Sequence, residues 1–212
     1  MKIALIAATG NIGSHIARSA LARGHQVTAL TRSAKPLPAE LAGACAQVVD
    51  LTNATALAEA VRGADVIASA FGPRTEDLGE VTQIARALIA AARTAGVKRV
   101  VVVGGAGSLE VAPGVQLVDV PQFPEAYKSI ALAHREAYEY LRTVSDVDWT
   151  FFAPAAMIGP GDKLGDYRTG SDTLISDAAG QSSIHYPDYA EAFVAELELP
   201  QYRQTIATVA YI

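Results

Sequence analysis

The 212 residues predict an α/β protein built on a doubly wound parallel sheet with helices on both faces. Three observations carry that expectation. Short β-branched runs and helical patterns alternate along most of the chain, as strands joined by crossover helices require. An apolar strand at the start runs directly into Thr9-Gly10-Asn11-Ile12-Gly13 and then into helical spacing. Gly24, Gly63 and Gly96 each stand between a helical pattern and the next strand, where left-handed stops belong.

The elements follow in order. Ile3, Leu5 and Ile6 lie in a strand over 2–8, and Ile16, Ala20 and Leu21 mark the apolar stripe of a helix over 11–23. Strands follow at 26–31, 46–49, 64–70, 97–104 and 148–153, with helices at 54–62, 77–95 and 125–143 between them. Past Pro154 the pattern changes to a Gly/Pro loop at 159–165, a hairpin from Tyr167 to Ile175, a helix from Pro187 to Leu197 and a strand at 204–210. That tail is too short for a domain of its own, so residues 1–212 read as one domain, with 155–186 a small C-terminal cap on the substrate side.

Composition narrows the function. With 50% hydrophobic and 18% charged residues the chain can bury a large core, and a net charge of −5 argues against nucleic acid. No apolar run of about 18 residues is present to cross a bilayer, and the first strand has neither a basic leader nor a small-residue cleavage site, so a cytoplasmic location is expected. Cys45 is the single cysteine, which excludes an internal disulfide and a cysteine cluster, and no metal site is expected.

The glycine turn points to a dinucleotide. Unpaired N–H groups from Ala8, Thr9, Gly10, Asn11, Ile12 and Gly13 at a helix start would face a pyrophosphate, Gly10 permitting close approach and Gly13 close helix–strand packing. Ala7 replaces the first glycine of the usual pattern. The second strand ends at Arg32-Ser33, 19 residues past Gly13, where NAD-binding chains place a carboxylate. An arginine fork suits a 2′-phosphate instead, so NADP(H) is expected over NAD(H). Asp50 and Leu51 close the third strand, Asp50 serving either the adenine edge or a helix cap. Ala70, Phe71 and Gly72, followed by Pro73, end the fourth strand against a ribose. Gly104 opens the turn to Ser108 after the fifth, and Pro154 to Met157 after the sixth form a small apolar surface for the nicotinamide.

Together the glycine turn, Arg32, the Val101 to Ser108 stretch, the Asp148 to Pro154 strand and the Tyr-Pro-Asp-Tyr189-Ala helix start resemble the atypical short-chain dehydrogenase/reductases of Rossmann fold. More closely, the chain is similar to their NAD(P)H-binding, NmrA-like group that includes NADH-flavin reductases, with biliverdin reductase B more distant. The resemblance places Ser108 at the active-site serine position. The Tyr-x-x-x-Lys pair of the alcohol-oxidising members is missing, because Tyr127 is followed four residues on by Ala131, Tyr138 by Arg142 and Tyr140 by Val144. Lys128, next to Tyr127, points roughly 100° away around a helix. His134 shares a face with Tyr127 and Tyr138 and is either a proton source or a partly exposed helix histidine. Such thin proton-relay machinery suits hydride transfer to a flavin or quinone, which can take its proton from water. Two other functions stay open: reduction of a ketone or sugar carbonyl held by Ser108 and Tyr127, and a non-catalytic NADP(H) sensor of the NmrA-like kind. The expected partner is a small-molecule acceptor, with a flavin as substrate rather than resident cofactor. The apolar, proline-rich stretch 109–124 would wall that acceptor or form a homodimer contact.

Overall fold

The computed structural model describes residues 1–72 and 78–212; Pro73 and the expected helix start at Asp77 lie outside them. In chain order the elements are β1 (Lys2–Ile6), α1 (Asn11–Ala22), β2 (Gln26–Thr31), β3 (Cys45–Val48), α2 (Ala54–Val61), β4 (Val66–Ser69), α3 (Gly79–Ala95) and β5 (Arg99–Val103). There follow β6 (Glu110–Ala112), β7 (Val115–Gln116), α4 (Glu125–Arg142), β8 (Asp148–Pro154), β9 (Met157–Gly159), β10 (Tyr167–Gly170), β11 (Ser183–His185), α5 (Tyr186–Glu198) and β12 (Thr205–Tyr211).

Eight strands form one sheet in the order β10-β12-β8-β5-β4-β1-β2-β3, parallel except for β10. Alternation of side chains along each buried strand explains why both faces are covered. Ile3, Leu5, Val101 and Phe152 enter the core beneath α1 and α5, whereas Ala4, Ile6, Val100 and Phe151 enter the core beneath α2, α3 and α4. Gly24, Gly63 and Gly96 all take positive φ at the helix-to-strand turns. The chain winds outward from β1 to β3, then returns across β1 to β4. Ligands of open parallel sheets sit at that reversal, outside the carboxyl ends of the strands.

The hairpin expected from Tyr167 to Ile175 does not form. β10 instead pairs antiparallel with β12 at the sheet edge, Tyr167 opposite Tyr211 and Gly170 opposite Thr208. The chain then turns to Glu110, whose N–H donates to the Asp172 carbonyl at 2.7 Å and whose carbonyl accepts from Leu174 N–H at 2.8 Å. Pairing with β12 satisfies an edge that a self-contained hairpin would leave bare.

Two polar groups tie the last third of the chain to the sheet. Asp188, fully buried, accepts from Leu164 N–H at 2.8 Å, Gly165 N–H at 3.0 Å and the Tyr211 hydroxyl at 2.6 Å, fixing the 160–165 loop to the start of α5. Burial and that bond to Asp188 push the Tyr211 phenol up to about 12. Arg99 reaches Glu196 at 2.7 Å and Asp148 at 3.0 Å in a buried ion group. Among the described residues, no helix is long and apolar enough to cross a membrane.

Candidate functional site

A cleft of about 910 Å³ opens at the sheet's reversal point, large enough for an extended nucleotide. Its floor is the turn from β1 into α1. Gly10, with φ −79° and ψ 173°, precedes α1, and no side chain caps that helix start. The first turn of α1 contains no acidic residue. The orphan N–H groups and positive end of the helix dipole are therefore left for an anion. Ala7 sits at φ 59°, a left-handed conformation that costs a non-glycine residue about 1 kcal/mol. Gly13 lies too close to Ala7 to carry a side chain: a Cβ there would stand 2.1 Å from the Ala7 carbonyl oxygen.

One wall is cationic. Thr31, Arg32, Ser33 and Lys35 line the cleft beyond the carboxyl end of β2, with Pro36 and Pro38 stiffening the loop behind them. Thr31 Oγ1 donates to the Ser33 carbonyl at 3.1 Å and folds this exit. Neither Arg32 nor Lys35 makes an ion pair with the other described residues. Leu51, Ala70, Phe71, Gly72, Glu80, Ile158 and Tyr186 line the rest of the cleft. The Tyr186 ring packs on His15 at 5.5 Å between centroids. His15 Nδ1 is 2.8 Å from the Asn11 carbonyl; because a carbonyl only accepts, Nδ1 carries the proton.

Of the residues marked by sequence, Thr9, Gly10, Asn11, Ile12, Arg32, Ser33, Leu51, Ala70, Phe71 and Gly72 line this one cleft. Others lie elsewhere. Ala8 and Gly13 are buried behind the turn, and Gly104 packs so tightly on Phe151 that a Cβ would meet its ring at 2.3 Å. Pro154 is buried at the end of β8, while Met157 is 68% exposed. The Asp50 carboxylate accepts from Thr52 N–H and Oγ1 at 2.9 and 2.7 Å, which hold its pKa below the ordinary range. The cap of α2 is Asn53, whose Oδ1 accepts from Ala56 N–H at 3.0 Å.

The four proton-relay candidates do not meet at the cleft. Tyr127 is 61% exposed, and Lys128 lies 3.9 Å from Glu125. Ser108 is buried, and its Oγ has no hydrogen-bond partner among the described residues. His134 is buried too, and desolvation pushes its imidazole down to about 4, so it is neutral near pH 7. Among the described residues no group of three or more His, Cys, Asp or Glu side chains could hold a metal. Sequence reading missed Lys35, Glu80, Ile158 and Tyr186. Lys35 was signalled by its place three residues past Arg32. Ile158 and Tyr186 arrive through the parallel pairing of β9 with β11, for which no local pattern exists.

Comparison with known proteins places this geometry. Residues 7–200 match the NAD(P)H-binding family. A candidate exported protein from Burkholderia pseudomallei is 55% identical in sequence, with a TM-score of 0.93 and all of both chains covered. A proposed epimerase from Bacteroides thetaiotaomicron is 38% identical, with a TM-score of 0.91 over all of this chain and 97% of that one. A proposed NADH-flavin reductase from Streptococcus pneumoniae is 34% identical, with a TM-score of 0.91 and both chains covered throughout.

Proposed function

The chain belongs to the NAD(P)H-binding family, and from that premise we propose that it is an NADPH-dependent oxidoreductase serving a planar acceptor such as a flavin or quinone. The observation that carries the reading is one cleft that joins an uncapped helix start to a cationic exit of β2. Backbone N–H groups of Asn11 and Ile12 hold the pyrophosphate, with Gly10 admitting it close to the chain. Arg32, Lys35 and the Ser33 hydroxyl hold the 2′-phosphate, where a carboxylate would instead accept from a ribose hydroxyl. The nicotinamide, when bound, supplies hydride; the protein orients it and shields it from water.

Phe71, Ile158 and Tyr186 give the cleft flat apolar surface suited to stacked rings. Tyr127, Lys128, Ser108 and His134 do not line it, which supports an acceptor able to delocalise charge and take its proton from solvent. A flavin is then a substrate that comes and goes. The Streptococcus pneumoniae relative's description as an NADH-flavin reductase agrees with that acceptor class, while the Bacteroides description as an epimerase does not. The same dispersal of relay groups favours, as a second reading, a sensor that binds NADP(H) without turnover. Carbonyl reduction would need a phenol at the substrate oxygen, and Tyr186 is the tyrosine among the described residues that lines the cleft. The reading places the enzyme in the cytoplasm, where NADPH is available.

Calorimetric titration of NADPH and NADH tests the nucleotide assignment. Wild type should bind NADPH at least about tenfold tighter, from one or more charge-assisted hydrogen bonds of about 1.5–3 kcal/mol each. Arg32→Ala should erase most of that preference, and equal affinities in wild type would refute it.

A further inference from the structure

Most of the nucleotide cleft suits phosphates or flat rings, and one residue suits neither. Glu80, in the first turn of α3, is the single carboxylate that lines the cleft among the described residues. It makes no hydrogen bond or ion pair with any of them, although Arg32 and Lys35 line the same cleft. A carboxylate beside a ligand carrying several phosphate charges opposes binding by like-charge repulsion, unless a donor group of that ligand reaches it.

The topology puts Glu80 on the adenosine side. A 2′-phosphate held by Arg32, Ser33 and Lys35 brings its own ribose, and the base attached to that ribose, to the exit of β2. The cleft residues Leu30, Leu51 and Phe71 belong to or pack on the core beneath α2, α3 and α4, whereas Ile12, Ala70 and Ile158 pack on the core beneath α1 and α5. α2 and α3 are packed neighbours, and each is a crossover between parallel strands, so both start at the carboxyl edge of the sheet. Leu51, just ahead of α2, and Glu80, at the start of α3, therefore border the same side of the cleft. Asp50 does not compete for the base: its carboxylate is taken by Thr52, and it does not line the cleft.

Resting on the NADPH site proposed above, we propose that Glu80 is the residue that selects adenine, its carboxylate accepting from the exocyclic amine of the base while Leu30, Leu51 and Phe71 meet the ring. An ionised carboxylate can only accept, and the amine is the hydrogen-bond donor on an adenine ring whose other polar atoms are acceptors. The nicotinamide carboxamide also carries an amine, but it belongs to the other end of the dinucleotide. A hypoxanthine ring presents a carbonyl oxygen where adenine has the amine, and there it would face Glu80 as acceptor against acceptor.

Calorimetric titration of the full chain with NADPH and with its hypoxanthine analogue tests this. Wild type should favour NADPH at least about tenfold, the measure of one charge-assisted hydrogen bond. Glu80→Ala should lose that preference by weakening NADPH. Glu80→Gln should lose it by strengthening the analogue, since the amide can donate to the ring carbonyl. Equal affinities in wild type, with Arg32→Ala still weakening NADPH, would overturn the role of Glu80 and leave the nucleotide site standing; a wild type that binds neither nucleotide would overturn both. A carboxylate that merely steadies the start of α3 would change the melting temperature of both variants and leave the ratio of the two affinities unaltered, which would also overturn it.

Discussion

Gly10 and Gly13 stand three residues apart in one turn, and replacing each with alanine should separate folding from binding. At Gly13 the added Cβ would stand 2.1 Å from the Ala7 oxygen, 2.9 Å from the Ala7 carbonyl carbon and 3.2 Å from Ala70 Cβ. Ordinary contact begins near 3.4 Å, so backbone must move by about 1.3 Å, and overpacking of this kind costs about 1–3 kcal/mol or more. For a chain of this length each kcal/mol lowers Tm by about 2–4 °C. At Gly10 the nearest atom is the Ala7 oxygen at 3.4 Å, and φ −79° with ψ 173° suits any L residue. Gly10→Ala should therefore melt within about 2 °C of wild type, a shift below 1 kcal/mol. Its methyl group would occupy space in the cleft where phosphate approaches the backbone, so NADPH affinity should fall at least about tenfold, or roughly 1.4 kcal/mol. Thermal melts and calorimetric titration of both variants decide the matter. A Gly10→Ala protein with native stability and native NADPH affinity would refute the placement of the pyrophosphate at this turn.

Three further outcomes are expected. Because burial holds His134 at about 4 when folded and its ordinary value is 6.5, the unfolded chain binds the extra proton first. Stability should decline as pH falls from about 6.5 to 4, by roughly 3 kcal/mol in total. Urea melts across that window should show a shallower slope in His134→Leu, whatever its stability at neutral pH. Arg99→Met leaves the Glu196 carboxylate buried with only the Gln201 and Tyr202 N–H donors, and should cost about 3–5 kcal/mol, with Glu196→Leu in the same chain restoring much of the loss. Asp188→Asn weakens the bonds that hold Leu164 and Gly165, so their amide protons should exchange at least about tenfold faster, for a loss of roughly 1.5 kcal/mol.

Much of the fold could be read from local pattern because its strands are buried on both faces. Ile3 to Ile6 and Val100 to Val103 are continuous apolar runs, and glycines end the helices between them. The nucleotide end of the site was legible for a related reason: Gly10, Gly13, Arg32 and Ser33 belong to one βαβ unit, where sequence spacing translates directly into space. Legibility failed where contacts span the chain. Tyr186 and Ile158 reach the cleft through pairing of β9 with β11, and β10 chose the edge of β12 over its own neighbours. Ser108 was marked by the family resemblance and His134 by residue type and helical spacing, but how closely α4 packs on the turn after β5 decides their burial. A Cβ on Gly107 would come within 2.8 Å of Ala131 Cβ, and no periodicity announces so close an approach.

NADPH consumption, followed by nicotinamide absorbance against riboflavin, FMN, a benzoquinone and several ketones with NADH in parallel, separates an NADPH-dependent reductase from a nucleotide sensor. Turnover with flavin or quinone, preference for NADPH and little response to ketones are expected. Tight NADPH binding with no consumption in the presence of any acceptor would contradict the reductase reading and assign the cleft to nucleotide sensing.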